Sequence, residues 1–418
     1  MKTTAILIVA LSLSFLTQNL LTQSGWILHE SGQSYWNLNS ICFINTGTGF
    51  AAGNNGTFDK TTNGGFNWSL LNTGTNNNFN SVSFPSSNTG YIVGGGGVLV
   101  KTTNGGTNWN LFPAGTGYVQ TSMFFINDNT GYVTSTVSGT SSIIMKTTNG
   151  GYNWLLDTTV NVLLRSVYFI DLNTGFAAGG SSSGGGIFKT TNGGFRWFTV
   201  NLIDNYSYYH IYICNNTIGY AVGTYGYIAK STDGGNNWNE QYFGIGITLT
   251  SVFFVDINTG YSVGTGGTIL KTTNGGINWI HQLNLATSAY LNDVWFTDAN
   301  TGYAVGYSGT IIQTTTGGDP IGIKPISYEI PKTFILSQNY PNPFNPSTTI
   351  EFDIPMTSYT KLIVYDLLGK EIEILVYEEL KAGSYRADFN ADRLSSGVYY
   401  YKLAAGDFNQ TRRMVVLK

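Results

Sequence analysis

Carboxylates and arginines are the side chains that could support hydrolysis in this chain, and neither forms a recognisable site. A glycosidase needs two carboxyl groups across a groove. Asp171, Asp256 and Asp298 instead occupy the same turn of a repeated segment, which predicts a structural role. A sialidase needs several arginines to clamp a sugar carboxylate, and the repeated segment contains only Arg165 and Arg196. The sequence predicts no catalytic residue, with a polysaccharide-acting glycoside hydrolase as the open alternative.

Histidine and cysteine are too few and too scattered to predict a metal site. His29, His210 and His281 stand alone, without the spacing of zinc ligands. The three aspartate turns share an Asp-x-Asn-x-Gly pattern with calcium loops but lack the further oxygen ligands, so Asx turns are favoured. We predict no metal, no cofactor, and two free thiols at Cys42 and Cys214.

Aromatic side chains in the loops are the candidate binding residues. Such rings suit the binding of a sugar or a peptide. The alternative is that the rings only pack their own loops. The candidate set joins these rings to one arginine expected near a channel entrance: Tyr35, Trp36, Tyr118, Arg165, Tyr206, Tyr208, Tyr209, Tyr225, Tyr242 and Tyr307.

A repeat of about 42 residues must position these loops. The string KTTNGGFNW begins at Lys60, five further copies follow, and a decayed copy begins at Gln313. One unit reads as four short strands, which is one blade of a β-propeller. The loops after the first and third strands hardly vary, whereas those after the second and fourth vary and hold the candidate rings. The low charged fraction of 10% and the 53 glycines also favour strands and tight turns over helices.

The spacing of tryptophans predicts how the repeat closes. The last copy lacks its Trp, and Trp26 precedes Trp68 by one period. The N-terminal strand is therefore expected to pair near Ile311–Thr315 and complete the last of seven blades. The turn residues and tryptophans of the repeat are predicted to be structural: Asn63, Asn104, Asn149, Asn192, Asp233, Asn274, Trp26, Trp68, Trp109, Trp154, Trp197, Trp238 and Trp279.

The repeated unit resembles known propeller repeats. Ser231-Thr-Asp-Gly-Gly-Asn-Asn-Trp238 fits the Asp-box (BNR) pattern of sialidases, and the whole unit is similar to the propellers of photosystem II assembly factors, sortilins and xyloglucanases. The resemblance covers residues 25–318 and implies the fold. A photosystem role would require a basic patch, for which the arginines are too few.

The two ends of the chain predict export. Residues 1–24 combine Lys2 with an apolar stretch too short to span a bilayer, which indicates a signal peptide. Charged residues become denser after residue 320, and Leu336-Ser-Gln-Asn-Tyr-Pro-Asn-Pro-Phe-Asn-Pro346 resembles the opening of the type A sorting domain of the type IX secretion system. The strings from Tyr365, Leu394 and Arg413 match its later parts. The resemblance implies passage across the outer membrane. The alternative is an appended β-sandwich that binds a ligand itself.

These observations predict an all-β protein: a seven-bladed propeller over 25–318, a linker over 319–333, and a small Ig-like antiparallel β-sandwich over 334–418. The net charge of −3 gives no reason to expect nucleic acid as a partner. We expect a secreted or surface-displayed, non-catalytic module that meets the secretion machinery and binds a polysaccharide, a peptide or a surface protein. A xyloglucanase-type hydrolase and a purely architectural surface protein are the alternatives.

Overall fold

The computed structural model describes residues 25–418 except 30, 33–34, 114–116, 182–183, 204, 243–245, 283, 285, 319–322, 328–329 and 392–393. The predicted signal peptide, 1–24, lies outside the described residues. The contacts divide the chain into a compact unit of Leu28–Gly317 and a second unit that holds Gly318–Lys418 together with the residues up to Ile27. The helical elements among the described residues are five three-residue 3₁₀ turns, at Asn54–Gly56, Gly95–Gly97, Thr224–Gly226, Thr265–Gly267 and Tyr307–Gly309. In the described chain no helix is long and hydrophobic enough for a transmembrane segment.

Six consecutive four-stranded antiparallel sheets follow the repeat, each with its strands in chain order. The first two sheets are β2 Leu38–Phe43, β3 Gly49–Gly53, β4 Phe58–Thr61 and β5 Ser69–Leu70, then β6 Phe79–Ser83, β7 Gly90–Gly94, β8 Val98–Thr102 and β9 Asn110–Pro113. The next two are β10 Val119–Phe125, β11 Gly131–Ser138, β12 Ser141–Thr147 and β13 Leu155–Val160, then β14 Leu164–Phe169, β15 Gly175–Ser181, β16 Gly184–Thr190 and β17 Phe198–Ile203. The fifth and sixth are β18 Tyr208–Ile213, β19 Gly219–Gly223, β20 Tyr227–Ser231 and β21 Asn239–Tyr242, then β22 Leu249–Phe254, β23 Gly260–Gly264, β24 Ile269–Thr272 and β25 Ile280–His281.

A further sheet combines the two ends of this region. Its strands are β26 Leu291–Phe296, β27 Gly302–Gly306 and β28 Ile311–Thr314, and the N-terminal β1 Ile27–His29 lies beside β28. The pairing predicted from the Trp26 spacing is therefore confirmed.

The second residue of each second strand is aromatic and contacts the next sheet; it is a tyrosine in five sheets and Phe50 or Phe176 in the other two. The ring of Tyr91 stacks on Phe125 of the following sheet at 3.7 Å, and Tyr132 stacks on Phe169 in the same way. Tyr303 of the last sheet stacks on Phe43 of the first at 4.0 Å. The last sheet thus packs against the first.

The repeat lysines also link neighbouring sheets. Each lysine amine donates a hydrogen bond to a glycine carbonyl in the turn of the next sheet, at 2.6–3.2 Å for Lys60, Lys101, Lys146, Lys189 and Lys230. In the decayed last copy Gln313 makes the equivalent bond to Gly64, at 3.0 Å. From the sequence these lysines could be read as a cationic ring or as solvated strand ends. The hydrogen bonds give them a structural role instead.

The repeated Asn-Gly-Gly turn is held by its own side chains. Asn63 Oδ1 accepts the backbone N–H of Asn67 at 3.0 Å, and Thr61 Oγ1 accepts that of Gly65 at 2.9 Å. Both glycines have positive φ, 68° at Gly64 and 82° at Gly65, which favours glycine there. The same bonds recur at Asn104, Asn149, Asn192, Asp233 and Asn274.

The tryptophans that follow these turns contact phenylalanines edge-on. Trp109 lies 4.9 Å from Phe58 of the preceding sheet and 5.7 Å from Phe84 of its own. Similar edge contacts involve Trp68, Trp154, Trp197, Trp238 and Trp279. These rings fill the space near the turns, as the structural interpretation requires.

The C-terminal unit contains two four-stranded sheets around one core that holds Ile350 and Phe352 from one sheet and Leu362 and Tyr401 from the other. The first sheet, in spatial order, is β29 Ile323–Ser327, β34 Gly383–Asn390, β31 Ser347–Ile354 and β30 Ile335–Leu336. The second is β33 Glu371–Leu380, β32 Ser358–Tyr365, β35 Gly397–Ala405 and β36 Phe408–Val416. The predicted linker 319–333 is wrong in part, because β29 lies inside it and belongs to the first sheet.

Candidate binding channel

The first strand of each repeat, which we call the innermost strand, has a β-bulge near its start. The bulge turns one side chain toward a cavity that all seven sheets share. The strand register shifts between Leu38 and Ser40 in the first sheet, and equivalent shifts occur in the other six. Bulges of this kind re-aim a side chain. We call the seven bulge residues the bulge ring: Asn39, Asn80, Thr121, Arg165, Tyr209, Thr250 and Asn292. All seven line a cavity of about 340 Å³.

Five members of the bulge ring bind the neighbouring strand. Their side chains donate hydrogen bonds of 2.6–2.8 Å to a backbone carbonyl just before the next bulge, from Asn39, Asn80, Thr121, Thr250 and Asn292. Asn292 donates to Leu38, so this set of bonds also joins the last sheet to the first. These five side chains are committed to holding the innermost strands together.

Arg165 and Tyr209 depart from this pattern and contact each other. The Arg165 guanidinium lies 4.4 Å from the centre of the Tyr209 ring, which is cation–π geometry. The buried Nε of Arg165 makes no hydrogen bond to any described residue. The sequence predicted both residues as binding residues, and the structure brings them together at the polar cavity.

A second ring of small polar residues lies one position further along the strands. Ser40 Oγ accepts the N–H of Val82 at 3.3 Å, and equivalent bonds are made by Ser122 and Ser166. His210 and Asp293 replace serine in two sheets. His210 Nδ1 accepts the N–H of Val252 at 3.2 Å, and Asp293 Oδ2 accepts that of Ile41 at 3.0 Å.

The His210 and Asp293 side chains are titratable groups that are shielded from solvent. Burial lowers the pKa of His210 and raises the pKa of Asp293. Hydrogen bonds from Ile41, Ser251 and Val294 to the Asp293 carboxylate counteract part of that rise. The ring therefore combines a histidine that favours its neutral form with a carboxyl group whose raised pKa is partly offset by hydrogen bonds from the protein.

The far end of the same strands carries a belt of aromatic rings. Phe124, Tyr168, Tyr212, Phe253 and Trp295 come from five consecutive sheets, and we call them the aromatic belt. They line a second cavity of about 480 Å³, which shares His210 and Asp293 with the first. The belt was not among the residues predicted from the sequence, although all five rings fall in one column when the first strands of the repeats are aligned.

The predicted loop residues separate into exposed and buried groups. Tyr35, Trp36, Tyr118, Tyr225 and Tyr307 are exposed, Tyr35 by 92%. Tyr206 is half-buried and packs against Tyr225 and Tyr227 at 5.8 and 5.4 Å. Tyr242 ends β21, and its side chain lies outside the described residues.

Tyr208 was predicted to contact ligand, and that prediction is wrong. Its side chain is 0% exposed, and its hydroxyl is 2.8 Å from Asn201 Oδ1. Tyr208 stands just before the bulge, in the position that Leu38, Leu164 and Leu249 fill in other sheets. Residues at this position face the core.

The aspartates considered for catalysis are turn residues. Asp171 Oδ1 accepts the N–H groups of Asn173 and Thr174, both at 2.7 Å, and Asp256 and Asp298 make the same pair of bonds. Among the described residues no group of three His, Cys, Asp or Glu side chains is placed to hold a metal ion. Cys42 and Cys214 are free thiols, as predicted.

Two family models match separate parts of the chain. Residues 21–154 match the model described as "Photosynthesis system II assembly factor YCF48". Residues 338–417 match that of the "Secretion system C-terminal sorting domain". No protein of curated function matches the sequence.

Solved structures similar to this chain are propellers. YCF48 bound to a D1 peptide is 19% identical with a TM-score of 0.60, over 70% of this chain and 97% of that one. YCF48 from Cyanidioschyzon merolae is 18% identical with a TM-score of 0.57, over 69% and 98%. PorZ, a surface component of the type-IX secretion system of Porphyromonas gingivalis, is 14% identical with a TM-score of 0.53, over 93% of this chain and 60% of PorZ. At these identities the likeness shows the fold alone. The chain thus joins a propeller of the YCF48-like repeat type to a secretion-system C-terminal sorting domain, which indicates export to the cell surface or the extracellular space.

Proposed function

We propose that this protein is an exported, non-catalytic binding module of seven propeller blades. Its ligand binds at the cavity lined by the bulge ring, which we call the polar mouth. Seven four-stranded sheets and the stacking of Tyr303 on Phe43 support the blade count and the closure. Residues 1–24 act as the signal peptide. The C-terminal region from 334, with two sheets around one core, acts as an Ig-like address for the type IX secretion machinery.

The main support for the proposal is that Arg165 and Tyr209 depart from the hydrogen-bond pattern of the other five members of the bulge ring. Five positions use their donors to hold the scaffold together, whereas Arg165 and Tyr209 contact each other at the cavity. A guanidinium can donate five hydrogen bonds, and it binds carboxylates in bidentate fashion. We therefore expect the ligand to place a carboxylate, or a comparable acceptor group, against Arg165.

A peptide or polysaccharide segment is the ligand class that fits this mouth. Exposed rings such as Tyr225 and Tyr307 follow second strands at the end of the sheets that carries the bulges, and they can stack on a sugar or cover a peptide. YCF48, which shares the fold, has been solved with a peptide bound. A hydrolase would need a second carboxylate, and Asp293 is the only acidic residue among the described residues that line the two cavities.

Replacing Arg165 with Gln tests the proposal. The purified protein would be screened on peptide and glycan arrays, and the affinity of each captured ligand measured for the wild type and the variant. We expect Arg165→Gln to weaken binding by about tenfold or more, because a charge-assisted hydrogen bond contributes roughly 1.5–3 kcal/mol. The matched control is Arg196→Gln, which removes the same charge from an exposed turn. Equal binding by all three proteins would contradict the proposed site.

A further inference from the structure

The two cavities share lining residues, and we call them together the channel. The aromatic belt forms a continuous arc of rings around the end of the channel opposite Arg165. Successive ring centres are 4.7, 5.5, 5.3 and 5.3 Å apart, from Phe124 through Tyr168, Tyr212 and Phe253 to Trp295. Neighbouring rings are tilted by 43–56°. Each ring contacts the next at a distance typical of aromatic pairs.

The belt lies at the edge of the packed core, because four of its five rings pack against the buried clusters and all five line the cavity. Residues on either side of each ring in its strand, such as Val167 and Phe169 beside Tyr168, are buried between sheets. The five belt rings themselves are only half-buried and line the cavity. Cys42 and Ser83 hold the equivalent positions in the first two sheets, so the arc is open on one side. The rings therefore border the cavity of about 480 Å³.

The charge around this cavity favours a positive ligand. No lysine or arginine is among the described residues that line it, and Asp293 is the acidic side chain there, its carboxyl group accepting hydrogen bonds from Ile41, Ser251 and Val294. Burial lowers the pKa of His210, so that ring does not add positive charge at neutral pH. Burial also raises the pKa of Tyr168 to about 12, which keeps its phenol neutral. The faces of aromatic rings carry negative potential and attract cations.

We propose that the aromatic end of the channel binds an organic cation, a quaternary or primary ammonium group, which the belt rings surround and whose charge Asp293 balances. The polar mouth at Arg165 suits a group of the opposite charge. The two cavities share His210 and Asp293, but Arg165 and Tyr209 line only the first and the belt rings only the second. This proposal therefore does not depend on the proposed function.

Matched pairs of probes test the cation without any substitution. Choline would be compared with its neutral isostere 3,3-dimethylbutan-1-ol, and N-acetyl-lysinamide with N-acetyl-norleucinamide, by calorimetric titration of the whole protein. We expect at least one cation to bind about tenfold more tightly than its neutral partner. Binding of choline would identify a quaternary ammonium site, and binding of the lysine compound alone would identify a primary ammonium site. Equal affinity within both pairs, or no binding, would overturn the proposal.

Variants of the belt locate the site. Trp295→Leu keeps an apolar side chain but removes the ring, and should weaken cation binding by about tenfold, whereas Trp295→Phe should retain most of it. Phe195→Leu is the control, because it removes an exposed ring from a turn that lines neither cavity, and it should leave cation binding unchanged. Circular dichroism would establish that each variant is folded. Cation binding that survives Trp295→Leu in a folded protein would contradict the assignment.

Discussion

Replacing Trp26 with Ala is expected to lower the free energy of unfolding by about 3–5 kcal/mol. The Trp26 side chain is fully buried, and it directly precedes β1, the strand that lies beside β28. Loss of the indole leaves a cavity and weakens the attachment of β1. Without β1, the β28 strand Ile311–Thr314 would become an unpaired edge in which every residue is now buried.

Urea denaturation of the two proteins measures this effect. The matched control is Trp36→Ala, which removes the same side chain ten residues later, from a position that is 53% exposed. The control should change the free energy of unfolding by less than about 1 kcal/mol. A loss below about 1 kcal/mol for Trp26→Ala would show that the N-terminal strand does not complete the last sheet.

Deleting residues 319–418 should abolish delivery to the cell surface and leave the propeller folded. The sorting-domain match covers 338–417, and Leu28–Gly317 is a compact unit of its own. The deletion has to begin before residue 323, because a cut at 334 would leave β29 without its partner strand β34. Immunolabelling of intact cells, in a host with the type IX secretion system, would measure delivery.

The reciprocal fusion is the control for the deletion. Residues 318–418, attached to an exported reporter, should bring that reporter to the surface. Thermal unfolding of the purified truncated protein should give the same midpoint as the propeller in the whole chain. Normal surface display of the truncated chain, or loss of its folded structure, would contradict a C-terminal domain that acts only as an address.

The repeat allowed the strands to be predicted because its turns are chemically specific. Paired glycines with positive φ and an Asn that caps its own turn leave few alternatives to a hairpin. The closure was predictable for a similar reason, since a Trp missing at one end of the region and present at the other has one simple explanation. The linker prediction failed because composition changes near residue 320, whereas the short strand β29 is set by its pairing with β34.

The binding residues were harder to predict because a bulge decides which way they point. Tyr208 and Tyr209 are adjacent and identical in type, yet one is in the core and the other contacts Arg165. The bulge between Tyr208 and His210 breaks the simple alternation of strand side chains. An alignment of the repeats indicates which tyrosine faces the core, since Tyr208 shares a column with Leu38 and Leu164. The aromatic belt gives no separate signal in the sequence because its rings alternate with core residues inside apolar strands.

The most direct test of the binding account is a photocrosslink from the polar mouth on living cells. A benzoylphenylalanine placed at Tyr225, which is exposed beside the turn before β20, should capture a cell-surface or extracellular ligand on irradiation. The control position is Phe195, which is more exposed than Tyr225 and lies in the turn after β16, at the opposite end of its sheet. The account predicts adducts from position 225 that disappear when Arg165→Gln is added, and none from position 195. Adducts from 195 alone, or adducts from 225 that persist without Arg165, would contradict a ligand at this mouth.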